Sequence, residues 1–136
     1  MAEALILTNG KLAHLAEGLA SLDGLRTKPD EFRPYKFDSD EVVWAIANNA
    51  VLVADALKIF ERAKKLLAVQ HGIADRMQIT PANADAVAAF MDGVSKLEDK
   101  EVTVAGLVKI ARSKLNVGKN QIPASVLAKL FSVLEE

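Results

Sequence analysis

Residues 38–72 read DSDEVVWAIANNAVLVADALKIFERAKKLLAVQHG, and this stretch sets the architecture. It holds no proline, and its only glycine is Gly72 at the end. Ile46, Ala50, Val53, Leu57, Phe60, Lys64, Leu67 and His71 step by four and three, the period of one helical face. A second stripe, Ala45, Asn49, Leu52, Ala56, Ile59, Ala63 and Leu66, runs beside it. Asp55, Lys58, Glu61, Arg62 and Lys65 are left for the wet side, with Glu61 and Lys65 spaced as an ion pair. Asp38 with Glu41 has the spacing of a capping box, and Phe37 with Val42 that of a hydrophobic staple. About 33 helical residues span roughly 50 Å, whereas a globule of this size is about 35–40 Å across. Such a helix projects, kinks or packs against a second copy, and self-association is the reading preferred. The apolar face of residues 42–67 is then both main core and self-association surface, carried by Ile46, Asn49, Val53, Leu57, Phe60 and Leu67. Asn49 pairs across the contact with another Asn49 to fix register, or makes one backbone bond at the helix edge.

On the N-terminal side, Leu12, Leu15, Leu19 and Leu22 predict a helix from Leu7 to Gly24, capped by Thr8 and stopped by a left-handed Gly24. Residues 25–37 form a charged connector with Pro29 and Pro34, read as an ordered or semi-ordered loop and the best candidate for mobility. Tyr35 and Trp44 flank the start of the long helix and tether this connector, or else line a pocket for a partner's side chain. On the C-terminal side, Thr80 and Pro81 open a helix with stripe Ala84, Val87, Met91 and Val94. Residues 101–110 fit strand and helix equally; a short extended piece near 101–105 running into a helix, ended by Gly118, is the expectation. Pro123 opens a last helix with Leu127, Leu130, Phe131 and Leu134 buried. The expected fold is therefore mainly α: one domain over residues 1–136, with a long central helix and shorter helices packed across it.

Composition bounds the function. The 136 residues carry 17 basic and 18 acidic side chains for a net charge of −1, which argues against a generic binder of nucleic acid or membrane surfaces. With 51% hydrophobic residues the chain can form a core, and without cysteine it has no disulfide, thiolate ligand or cysteine nucleophile. No apolar run is expected to reach the roughly 18–20 residues of a membrane span, and Met1–Leu7 is too short for a secretory signal. A cytoplasmic location follows as the expectation.

Chemistry-bearing motifs are few. Gly118-Lys119 lacks the upstream glycine of a phosphate loop, because Ser113 stands there and Asn120 replaces the magnesium-binding hydroxyl. His14 with Glu17 and His71 with Asp75 each offer two ligands of the three or four a metal needs, so no metal or other cofactor is expected. Residues 13–18, AHLAEG, resemble the phosphorylatable segment of histidine phosphotransfer domains, with Glu17 where that family has lysine. Between Val102 and Leu134 there is no acidic residue, while Lys109, Arg112, Lys114, Lys119 and Lys129 are basic. Lys109 and Arg112 would share a helix face. Lys109, Arg112, Lys114 and Lys119 form a patch for an acidic partner or nucleic acid, or simply a solvated rim.

Several segments together carry a resemblance: LTNGKL at 7–12, LASL at 19–22, WAIANN at 44–49, QHG at 70–72, Phe90 to Leu97, EVTV at 101–104, Lys109-Ile110 and LAKL at 127–130. This pattern resembles a family of short helical proteins of tailed bacteriophages and prophages, often encoded among virion-related genes and without an assigned activity. The resemblance implies a non-enzymatic protein acting through protein–protein contacts in head or tail assembly, as a homo-oligomer or with a protein partner. It also implies the host bacterial cytoplasm, with association to the virion. The alternative is a small nucleic-acid-associated regulatory protein using the basic C-terminal third.

Overall fold

A computed structural model describes residues 3–28, 30–74 and 77–135. Two strands far apart in sequence open and brace the fold. β1 (Glu3–Thr8) pairs antiparallel with β4 (Glu101–Leu107), Leu5 opposite Val104 and Leu7 opposite Val102. The extended piece expected near 101–105 is thus a full strand, and its partner lies in a segment for which residue pattern alone predicts no element. The alternation is plain in the folded chain: Leu7 turns inward and is buried, while Ile6 turns outward. The chain is helix-rich but mixed, with helices joined to small two-stranded sheets.

α1 (Asn9–Ala20) follows β1 directly, and the Thr8 hydroxyl accepts from the Lys11 N–H, the capping contact expected of it. Leu12, Leu15 and Leu19 are buried on its inner face. A short 3-10 turn (Ser21–Asp23) ends it, and Gly24 is extended at φ 166, not left-handed. Most of the expected loop is strand, and residues 35–37 lead on to the long helix without regular structure. β2 (Gly24–Lys28) and β3 (Glu31–Pro34) form an antiparallel hairpin, and a Cβ at Gly24 would strike the Arg33 carbonyl oxygen. The hairpin is tied down at its open end. Arg33 donates to the Asn120 carbonyl (3.0 Å) and to Gln121 Oε1 (2.9 Å).

The long helix runs from Asp40 to Gln70 as α2 (Asp40–Ala56) and α3 (Lys58–Gln70). Leu57 between them keeps the ladder: its N–H donates to Val53, and its carbonyl accepts from Glu61. At 31 residues the rod is about 46 Å long. Gly72 stops it at φ +67, with Gly72 N–H on Val69 and Ile73 N–H on Ala68, as in a Schellman motif. The start differs from expectation. Ser39 occupies the cap position, and Asp38 instead accepts from Asn116 Nδ2 (3.2 Å).

α4 (Ala84–Glu98) returns alongside α3, with Gly93 facing Leu67. It begins after Asn83, whose Oδ1 accepts the Thr80 N–H, so Thr80 and Pro81 precede the helix and do not open it. Among the described residues, only Phe60 is buried in α3 and none in α4, which makes this pair a thinly packed arm. Beyond β4 the expected helix is absent. β5 (Ile110–Ala111), a 3-10 turn (Arg112–Leu115), α5 (Val117–Asn120) and α6 (Ala124–Lys129) follow. Asn116, in the left-handed region at φ 51, breaks the chain there, and Gly118 lies inside α5. A 3-10 turn (Phe131–Val133) and β6 (Leu134–Glu135), parallel to β5, close the chain. That turn rotates the last stripe: Val133 is buried, Leu134 is half-buried, and Phe131, expected inside, is 80% exposed.

Gly18 marks where α1 crosses α6. A Cβ there would sit 2.9 Å from Lys129 Cβ and 3.1 Å from a Leu130 methyl. Gly18→Val is expected to destabilise by about 1–3 kcal/mol through overpacking, read as a lower urea midpoint; an unchanged midpoint would mean α6 yields freely.

Candidate interaction surface

The long helix has two apolar faces, and the fold uses one. On the inner face Val42, Ala45, Val53, Leu57 and Phe60 are buried against β4, α1 and their neighbours. Asn49 is fully buried there at 0% exposure. Its Nδ2 donates to the Val108 carbonyl (2.8 Å), and its Oδ1 accepts the Val108 N–H (2.9 Å). Asn48 Nδ2 donates to the Gly106 carbonyl (3.1 Å). Gly106, at φ +89 and against Leu52, bends the strand so that these backbone groups reach the helix.

This corrects the sequence reading of the stripe. Asn49, Val53, Leu57 and Phe60 belong to the chain's own core, where no second copy can reach them. Asn49 is matched to Val108 and not to another Asn49. Ile46 and Leu67 are half-buried against the same core and the arm.

The outer face, expected to be the wet side, carries Asp55, Lys58 and Arg62. The same face, however, also carries Trp44 (62% exposed), Val51 (68%), Ile59 (81%), Leu66 (51%) and Val69 (78%). At 100° per residue these five fall within an arc of about 80°. Spacing alone groups Ile59 and Leu66 with the inner stripes, because a broad apolar face hides where its burial ends. The double-sided character also raises the mean hydropathy to 1.5 over 18 residues, contrary to the expectation that no run approaches a membrane span. The same helix is also a strut of the fold, through the hydrogen bonds of Asn48 to Gly106 and of Asn49 to Val108.

The arm adds Met77, Ile79 and Met91, all exposed. Ion pairs stand in and beside the stripe. Lys58 binds Asp55 at 2.8 Å, which holds the Lys58 ammonium above the ordinary lysine range. Lys64, not Lys65, pairs with Glu61, at 3.4 Å, and its ammonium lies 4.6 Å over the Phe60 ring.

No family model, curated protein or solved structure matches the chain.

The remaining candidates are dispersed. Lys109 is not on a helix with Arg112; its ammonium donates to the Ser132 carbonyl (2.7 Å) and so ties β5 to the C-terminal turn. Lys109 and Lys114 line one groove together with Glu41 and Glu135, while Arg112 lines another beside Phe131 and Glu135. Lys119 sits on α5, outside both linings. Carboxylates in each groove offset the charge that a single basic patch would have concentrated.

His14 is exposed in a groove of about 510 Å³ with Lys11, Ser125, Lys129 and Phe131. Glu17 lies 3.9 Å from its Nδ1 and is itself held by Lys129 at 2.8 Å. That hydrogen bond and charge keep the Glu17 carboxyl below its usual range, so it stays anionic beside the imidazole and would repel a phosphoryl group. His71 caps the long helix; its expected companion Asp75 lies outside the described residues. Tyr35 is buried behind the hairpin, its N–H on the Asp23 carbonyl, which fits its expected role as a tether. Trp44 does not share that role and faces outward.

Proposed function

We propose that this protein works by contact, as a non-enzymatic component that docks into an assembly through the outer face of its long helix. The observation that supports this reading most is the exposed stripe from Trp44 to Val69 on a continuous helix whose α2 half is locked into the fold by its other side. An apolar face that the chain leaves open, on an element it holds rigidly, is what a preorganised docking surface requires. The sequence resemblance to small phage proteins supplies the setting: assembly or structure of a head or tail, first in the host cytoplasm and then with the particle. The nucleic-acid alternative draws less support, because Lys109 is committed to Ser132 and acidic side chains share the grooves of Arg112 and Lys114.

The test is sedimentation of lysates from producing cells on a density gradient. Wild-type protein is expected to travel with large particles, and the variant carrying Ile59→Asp and Val69→Asp to stay near the top. Both positions are exposed, so the variant should melt within about 0.5 kcal/mol per site of wild type. Equal migration of the two proteins would refute the contact reading.

A further inference from the structure

The outer face carries charges of opposite sign at matching distances from its middle, Asp55 on one side and Arg62 on the other. Along it run Val51, Asp55, Lys58, Ile59, Arg62 and Leu66. Turn the helix end over end about a point between Lys58 and Ile59, and Val51 and Asp55 each meet a complementary position. Val51 falls opposite Leu66, Asp55 opposite Arg62, and Ile59 beside the axis.

We propose that this face binds a second copy of the same chain, helix against helix, antiparallel about a two-fold axis passing between Lys58 and Ile59. The proposal rests on the contact reading above and specifies its first partner. A two-fold contact is isologous, so every pairing occurs twice. Two Val51–Leu66 contacts flank two Asp55–Arg62 ion pairs, and Ile59 from each copy fills the centre. Trp44 of each copy reaches past Val69 to the end of the opposite helix. The contact from Trp44 to Val69 is about 38 Å long, a length over which two helices can approach the roughly 800 Å² per partner of a stable interface.

Charge selects the orientation. A parallel pair would set Asp55 against Asp55 and Arg62 against Arg62, like charges face to face. The antiparallel pair sets each against its opposite. Arg62 forms no ion pair among the described residues, while Asp55 holds only the exposed Lys58 of its own chain. Asp55 therefore has room for a guanidinium, which a carboxylate takes in bidentate fashion. The two Lys58 ammonium groups lie near the axis, each already compensated by Asp55 at 2.8 Å. A lipid surface suits the stripe poorly, since Asp55 and Arg62 stand on its midline.

Light scattering coupled to size exclusion tests this with charge reversal. Wild-type protein at tens of micromolar is expected at twice the monomer mass. Asp55→Arg alone and Arg62→Asp alone should each raise the dissociation constant at least about 100-fold and run as monomers. The double variant, D55R with R62D, should regain the dimer mass. So should an equimolar mixture of the two single variants. In that mixed pair the guanidinium introduced by D55R meets the carboxylate introduced by R62D, and the native Arg62 of one copy meets the native Asp55 of the other. Circular dichroism checks that each variant is folded; if one is not, Ile59→Asp at the axis replaces it and should be monomeric.

A wild type that stays monomeric up to about 1 mM overturns the proposal and leaves the face to a different protein. Single variants as dimeric as wild type, or a mixture that stays monomeric, overturn the antiparallel arrangement. In those cases the gradient experiment still decides the contact reading by itself.

Discussion

Leu57→Asp is expected to abolish the cooperative thermal transition. Leu57 is 8% exposed and lies at the joint of α2 and α3, on the inner face with Val53 and Phe60. Removing a buried leucine side chain costs about 2–5 kcal/mol, and an unpaired carboxylate in its place adds several more. The sum is comparable with the roughly 5–15 kcal/mol that holds a domain of this size together. Circular dichroism should show a shallow, non-sigmoidal melt, and size exclusion an expanded or aggregated species. Ile59→Asp, two residues along, is the matching control. It places the same charge on the 81% exposed outer face and should leave the melt nearly unchanged while weakening association. If the Leu57 variant melted like wild type, the inner face would not be the core. If both variants unfolded, the outer face would not be free.

Asn49→Leu should lower stability by about 2–4 kcal/mol although it replaces a polar core residue with an apolar one. The side chain closes a two-bond ring with the Val108 backbone, and among the described residues neither Val108 group has another hydrogen-bond partner. Leucine would leave a donor and an acceptor unpaired, each costing about 1–3 kcal/mol. For a chain this long the melting temperature should fall by roughly 10 °C.

Asn49→Asp separates hydrogen bonding from packing. The carboxylate keeps an acceptor for the Val108 N–H but loses the donor, and it faces the Val108 carbonyl. Burial and that carbonyl both favour the neutral acid, so its folded pKa lies above the ordinary value near 3.9. A group with a raised folded pKa stabilises most at low pH and progressively less as pH rises through that value. The gap in melting temperature between wild type and Asn49→Asp should therefore be wide at pH 7 and narrower at pH 5. A constant gap would mean the side chain is wetter than its 0% exposure implies.

Asn49 is one of three buried asparagines that join the molecule. Asn9 donates to the Leu97 carbonyl, binding α1 to the end of α4. Asn49 joins the long helix to the turn after β4. Asn120 accepts from the Lys36 N–H and donates to the carbonyls of Lys36 and Leu115, fastening the segment after the hairpin to the C-terminal third. Each is at most 7% exposed, and each bonds to backbone far away in the sequence. In sequence they look like ordinary helix-edge or turn residues.

Much of the fold is legible in the residues themselves. The four-and-three spacing over residues 38–72 determined the long helix and its Gly72 stop, because period and glycine chemistry are local properties. Thr8 as a cap, the buried leucines of α1 and the extended character near 101–105 are local in the same sense. Other features depended on partners distant in the chain. β1 is a strand because β4, almost a hundred residues later, presents an edge for it. The segment expected to be an ordered or semi-ordered loop is largely a hairpin, β2 with β3, anchored on Asn120. Phe131 turns outward because the chain tightens there into a 3-10 turn.

The division is sharpest on the long helix itself. Sequence alone established that it is apolar over most of its circumference, but hydrophobicity does not say which side a fold will cover. Only the tertiary structure decided that, through β4 and the Asn49–Val108 ring on one face. Trp44, Val51, Ile59, Leu66 and Val69 were left on the other, because the strands and shorter helices that pack on the rod of about 46 Å all lie along its inner side.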